Sequence, residues 1–370
     1  MANHRRPTTA ALVPVLALGL VAACAGGARP SSGSTEGPTP TPKSQVSASS
    51  TATPPTPSDS PSRFPILPGE QWLAFAWYPD VLYLVHPDGS GRHPLDIGVA
   101  GIPFSPAWSP DGKRLAFVLR GDTSPTPNGS IWTANADGSD AAMLYEDKNG
   151  CSDGSFWPSW SPDGTRLSMV CYYQTADGGF GDISILDPVT KVRTAVATLK
   201  YPDTVDNPVS WSPDGKTLAF EIITWDPTDQ FLSQSVVATV PAAGGPITKL
   251  TDPTLFGAHP DWSPDGSLIA FNTYDTGNMH GIEQPSNVYS VAPNGTGLRQ
   301  VSTASIDGKM RLGQPFWSAD GTRIWVSIAR EFERDSNDQF KNTLGWVDAT
   351  SGDFHEIGTE GKRFRERPIP

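Results

Sequence analysis

Charge is scarce in this sequence, and apolar residues are fewer than usual. Asp, Glu, Lys and Arg together make 18% of the 370 residues, and hydrophobic residues 37%. Both shares are low for a globular chain, which leaves room for 36 glycines, 37 prolines and much Ser and Thr. Short strands joined by many turns fit that composition better than long helices. The charge present is unbalanced, 39 acidic residues against 27 basic, for a net charge of −12. Phosphate binding needs a basic surface, so nucleic acid is excluded as a partner. No glycine-rich phosphate cradle follows a strand, and no Ser/His/Asp grouping can be assembled. No cofactor is expected.

His4, Arg5 and Arg6 form a small positive region, and an uncharged stretch from Thr8 to Ala23 follows. It is too short and too interrupted by Pro and Gly for a membrane span, but it suits an export signal. The stretch ends in Val21-Ala22-Ala23-Cys24, which resembles a bacterial lipobox. That resemblance implies cleavage before Cys24 and acylation of its thiol, hence a lipoprotein held at the outer side of the cell membrane. The other reading is an ordinary secretory signal cut near Ala23. From Ala25 to Arg63, 24 of 39 residues are Ser, Thr or Pro, and Val46 is the one sizeable aliphatic. No core can offset chain entropy there, so a disordered spacer stiffened by prolines is expected. The layout is then a signal over 1–23, an anchor and spacer over 24–63, and a folded domain over 64–370.

That domain is a repeat. Pro106-Ala-Trp108-Ser-Pro-Asp111-Gly112 recurs as Pro158-Ser-Trp160-Ser-Pro-Asp163-Gly164 and Pro208-Val-Ser-Trp211-Ser-Pro-Asp214-Gly215. It returns as Pro260-Asp-Trp262-Ser-Pro-Asp265-Gly266 and Pro315-Phe-Trp317-Ser-Ala-Asp320-Gly321. Spacings of 52, 51, 51 and 55 residues separate the tryptophans. In each unit a strand ends in Trp, Ser-Pro-Asp-Gly makes a tight turn, and an apolar strand such as Leu115-Ala-Phe follows. Two further strands complete the unit. Four antiparallel strands per period is the arithmetic of a β-propeller blade, and about six periods fit after residue 63. The fold expected is all-β: a six-bladed propeller of four-stranded blades. The first blade lacks an inner strand, which either Arg363–Pro370 or Arg63–Glu70 could supply. The tryptophans are expected between neighbouring blades.

These strings resemble the PD40, WD40-like repeats of TolB-like propellers, and the resemblance covers the chain from about residue 64 onward. It implies the fold more strongly than any activity, because that group includes TolB, propeller halves of peptidases and sugar-acid lyases. TolB's N-terminal α/β domain has no counterpart here, and no residues remain to build a hydrolase domain.

The repeated Asp-Gly pairs lack the ligand spacing of a calcium loop and read as turns; Asn135-Ala-Asp137-Gly138-Ser-Asp140 comes nearer to one. Binding is expected on the opposite face, where loops after the second strands differ between blades. Tyr172, Tyr173, Trp225 and Tyr274 mark that face, with acidic neighbours such as Glu283. His86, His93 and His355 fall on outer strands or turns. His259 precedes an inner strand and His280 lies in the long loop of the same blade; with Asp261 or Glu283 they could hold a metal. Cys151 and Cys171 lie in an exported domain on antiparallel neighbours, so they are expected to pair. The function expected is a non-catalytic module binding an envelope protein or glycan. The alternative is a metal-assisted, lyase-like enzyme acting on a saccharide at the channel mouth.

Overall fold

Ser-Pro-Asp-Gly builds the same turn in successive blades, and that turn sets the strand pairing. Ser109 Oγ donates to Asp111 Oδ1 at 2.6 Å and accepts from Arg114 N at 2.9 Å. Asp111 Oδ1 also accepts from Lys113 N at 3.1 Å. The Ser161, Ser212, Ser263 and Ser318 hydroxyls bond Asp163, Asp214, Asp265 and Asp320 in the same way, at 2.6 or 2.7 Å. Hydrogen bonds from Ser161 and Ser263, then from the backbone N–H groups that follow, hold Asp163 and Asp265 down at about 2. These carboxylates stay ionised and are engaged inside their own turns.

The computed structural model describes residues 66–67, 69–77, 81–121, 129–147, 151, 156–173, 179–205, 207–226, 228, 232–274, 286–302, 310–334, 340–360 and 362–368. Cys24, the signal and the spacer lie outside them, as do His280 and Glu283.

Six antiparallel sheets form the ring of blades. Blade 2 runs outward through Ile102–Trp108, Arg114–Arg120, Ser130–Asn135 and Ala142–Tyr145. Its second strand shows why alternation matters. Leu115, Phe117 and Leu119 pack toward blade 1 with Trp72, Ala74 and Leu84, whereas Ala116 and Val118 pack toward blade 3 with Leu167 and Met169. Successive side chains point to opposite faces of a strand, so every blade is buried on both sides. Six apolar layers result among the described residues, each between two neighbouring blades. The repeated tryptophans lie there too. Trp211 Nε1 reaches back to Ser159 O at 3.1 Å, and the Arg166 guanidinium of blade 3 covers its ring at 4.9 Å.

The C-terminus closes the ring. Lys362–Glu366 pairs antiparallel with Leu73–Trp77 and becomes the inner strand of blade 1. Phe364 is fully buried, 4.7 Å from the Phe75 ring. Trp108 Nε1 donates to Arg365 O at 3.1 Å. Arg367 donates to three carbonyls, Gly112 O at 2.7 Å, Glu70 O at 2.9 Å and Leu67 O at 3.2 Å. Gly112 sits at φ +64°, and a Cβ there would meet Pro368 O at 2.4 Å; only glycine fits under the returning chain. Ala319 replaces the turn proline of the other blades, and its N–H donates to Glu366 at 3.0 Å. A proline could not make that bond.

Blade 3 carries extra fastening between its second strand, Leu167–Tyr173, and the segment that enters the blade. Cys151 and Cys171 are joined as a disulfide with Cα atoms 5.5 Å apart. Asp147 accepts from Cys151 N at 2.9 Å and from Tyr173 OH at 3.3 Å. Arg193 bonds Asp182 and Tyr173 in the same cluster.

Candidate binding channel

Inner strands repeat a second device, a proline two residues before the Trp. In four blades the residue before that proline takes a left-handed conformation: Ser105 at φ +52°, Trp157 at +40°, His259 at +51° and Gln314 at +51°. Strand register skips at that point in blades 2, 5 and 6. A bulge of this kind re-aims side chains. All four residues line a central cavity of about 170 Å³, together with the prolines that follow them. Blade 4 has one residue more between Pro208 and Trp211, and its inner strand splits into Asp203–Thr204 and Ser210–Trp211.

Below the bulges, six residues share one register position, each opposite the Ala, Ser or Trp of the neighbouring second strand. They are Arg365, Ala107, Ser159, Ser210, Asp261 and Phe316. Two carry charge and both line the cavity. Asp261 accepts from Ser210 Oγ and Trp317 N, each at 2.9 Å. Burial raises its pKa, opposed first by the attraction of Arg365. Arg365 is pushed down by burial, against the pull of Asp261. Glu366 lines the cavity as well and is raised by burial; it accepts from Ala319 N at 3.0 Å and Trp325 Nε1 at 3.4 Å.

A polar network from the second strands of blades 4 to 6 supports the bulges of blades 5 and 6. Glu221, Asn272 and Ser327 occupy equivalent second-strand positions, where blades 1 to 3 have Ala76, Val118 and Val170. Asn272 Oδ1 lies 3.0 Å from His259 Nδ1 and accepts from Gln314 N at 3.2 Å. Glu221 is fully buried. Its Oε2 accepts from Asn207 Nδ2 at 2.9 Å and from His259 N at 3.2 Å, which fixes the bulge that presents His259. Ser235 Oγ lies 2.7 Å from Gly257 O and 3.1 Å from Glu221 Oε1. A hydroxyl has one proton and a carbonyl only accepts. The serine's proton thus serves Gly257 O at the shorter distance, with Glu221 Oε1 as a second, weaker acceptor. Burial pushes Glu221 up to about 7, against hydrogen bonds led by Tyr274 OH.

Of the candidate site residues marked in the sequence, His259 and Asp261 line the cavity. Tyr274 stands beside His259 at 5.9 Å between rings and accepts from Asn207 Nδ2 at 3.1 Å. Tyr173 is bonded to Asp147 and stacked on Phe180. Tyr172 precedes it in the same strand, and Trp225 ends the second strand of blade 4; none of these three is a lining residue. His86 stacks on Trp72 and His355 on Trp346. Asn135 of the calcium-like turn directs its amide at Ser139 and Asp140, both at 2.8 Å, as a turn requires. Glu221, Asn207 and Arg365 escape the sequence reading. So does Gly150-Cys151-Ser152-Asp153-Gly154, which has the Gly-x-Ser-x-Gly spacing of a hydrolase elbow. It joins blade 2 to blade 3, Cys151 is tied in the disulfide, and its other four residues lie outside those described.

Solved structures with this geometry include TolB from Acinetobacter baumannii, with a TM-score of 0.56 and 19% identity. That match covers 81% of this chain and 67% of the other. A putative TolB from Agrobacterium tumefaciens matches at 0.54 with 18% identity, over 81% of this chain and 99% of that one. The fold is that of the TolB propellers. At these identities the likeness shows architecture alone. An uncharacterized protein of Agrobacterium fabrum is 24% identical over 253 residues, 59% of this chain and 81% of its own length. An uncharacterized peptidase of Bacillus subtilis, YuxL, is 28% identical over 186 residues, half of this chain and 23% of its length. No protein-family model matches the chain. Among the described residues, no helix is long and apolar enough to cross a membrane.

Proposed function

We propose that this chain is an extracytoplasmic binding module, held to the cell membrane by a lipid on Cys24, which recognises an envelope protein or glycan at its channel. One observation carries the reading. The acids around the channel are engaged by protein donors, while Ser105, His259 and Gln314 are held on bulges that line the cavity. Side chains fixed on rigid strands around a concavity make a recognition surface. The PD40-like strings support a TolB-like assignment, and the order of export signal, spacer and propeller supports a place outside the membrane.

Photo-crosslinkers at Ser105 or Gln314 in living cells test this, with one at Lys113 on the turn face as control. Discrete adducts from the two channel positions are expected. The Cys24→Ser chain should leave the membrane fraction and lose them. Adducts from Lys113 alone, or from no position, would overturn the reading.

A further inference from the structure

Arg365 stands in the channel wall with little to hold. A guanidinium has five N–H donors, and the hydrogen bond that Arg365 makes is from Nη1 to Phe364 O of its own strand, at 2.9 Å. Its face lies 5.3 Å from the Phe316 ring centroid. Both carboxylates that line the cavity are committed elsewhere: Asp261 to Ser210 and Trp317, Glu366 to Ala319 and Trp325. Asp261 acts on Arg365 across space, not through a hydrogen bond. Arg365 is half-buried, and among the described residues no protein acceptor meets its remaining N–H donors where it lines the cavity.

The neighbouring wall sharpens the point. Pro106, Pro158, Pro208, Pro260 and Pro315 all line the cavity, and none has an N–H to offer an anion. The fork of Arg365 is thus the strongest donor set on the wall, and it matches a carboxylate in shape. We propose that the channel binds the carboxylate group of a ligand on Arg365. The inference rests on the channel being the recognition site and specifies its chemistry. A cavity of about 170 Å³ is large enough for a carboxylate on a narrow arm, such as a peptide C-terminus or the acid of a uronic sugar.

Acid and amide forms of one probe separate charge from shape. N-acetylglycine against N-acetylglycinamide represents the peptide source, and glucuronate against glucose represents the sugar source. Titrations of the full chain in matched sodium chloride should show one acid binding at least about tenfold more tightly than its neutral partner. Arg365→Met should abolish that preference, and Arg365→Lys should weaken it by losing the fork. Equal binding of acid and neutral forms, or binding of neither acid beyond the salt control, would overturn the proposal. If Arg365→Met fails to fold, the paired titrations on the unaltered chain decide alone. Channel adducts in cells without an acid preference would sink this inference and leave the binding module standing.

Discussion

Removing residues 363–370 should abolish cooperative folding or lower Tm by more than about 10 °C. The truncation opens the ring by taking away most of the inner strand of blade 1. Loss of buried Phe364 alone costs about 3–5 kcal/mol. Arg367 goes too, and with it three charge-assisted bonds to the carbonyls of Leu67, Glu70 and Gly112, each contributing about 1.5–3 kcal/mol. Trp108 and Ala319 lose their acceptors. The combined loss is comparable with the whole stability of an ordinary domain, about 5–15 kcal/mol. Thermal unfolding by circular dichroism checks it, and an unchanged midpoint would mean that another segment closes the ring.

A second large effect should appear in the pH dependence of stability. Glu221 titrates at about 7 in the folded chain, against a reference of 4.5. The unfolded chain therefore releases this proton first. Stability tied to Glu221 is fully present below about pH 4.5 and is lost as pH rises to about 7, after which it levels. The difference amounts to about 3 kcal/mol. Glu221→Gln offers Ser235 a donor and keeps an acceptor for Asn207 and His259, so it should fold and show no such decline. Denaturant titrations at pH 5 and 7.5 compare the two chains. Parallel curves for wild type and Glu221→Gln would show that the carboxyl is ionised throughout.

Turns, blade count and the place of the tryptophans were legible because each depends on a short string repeated in register. One Ser-Pro-Asp-Gly fixes one turn, and its period fixes the blade. The site was less legible because its contacts cross blades: Asn207 and Tyr274 are 67 residues apart and share one network. Glu221 did leave a signal. It is the one acid in a column that reads Ala76, Val118, Val170, Glu221, Asn272 and Ser327, and an acid in a strand buried on both sides must find partners. Arg365 left none, since Arg363-Phe-Arg365-Glu366-Arg367 shows alternating charge without saying which residue meets the channel. The aromatics stand at or near strand ends and do not form one cluster. Tyr173 serves Asp147, which follows the outer strand of blade 2, and Arg193 of its own blade, while Tyr274 covers Glu221.

The central claim is that ligand enters by the bulged ends of the inner strands. Amide exchange of the full chain, with and without the partner captured through Gln314, tests it most directly. Protection should concentrate at Ser105–Ala107, His259–Asp261 and Gln314–Phe316. Protection confined to the opposite face, at the Asp111–Lys113 and Asp214–Lys216 turns, would contradict it.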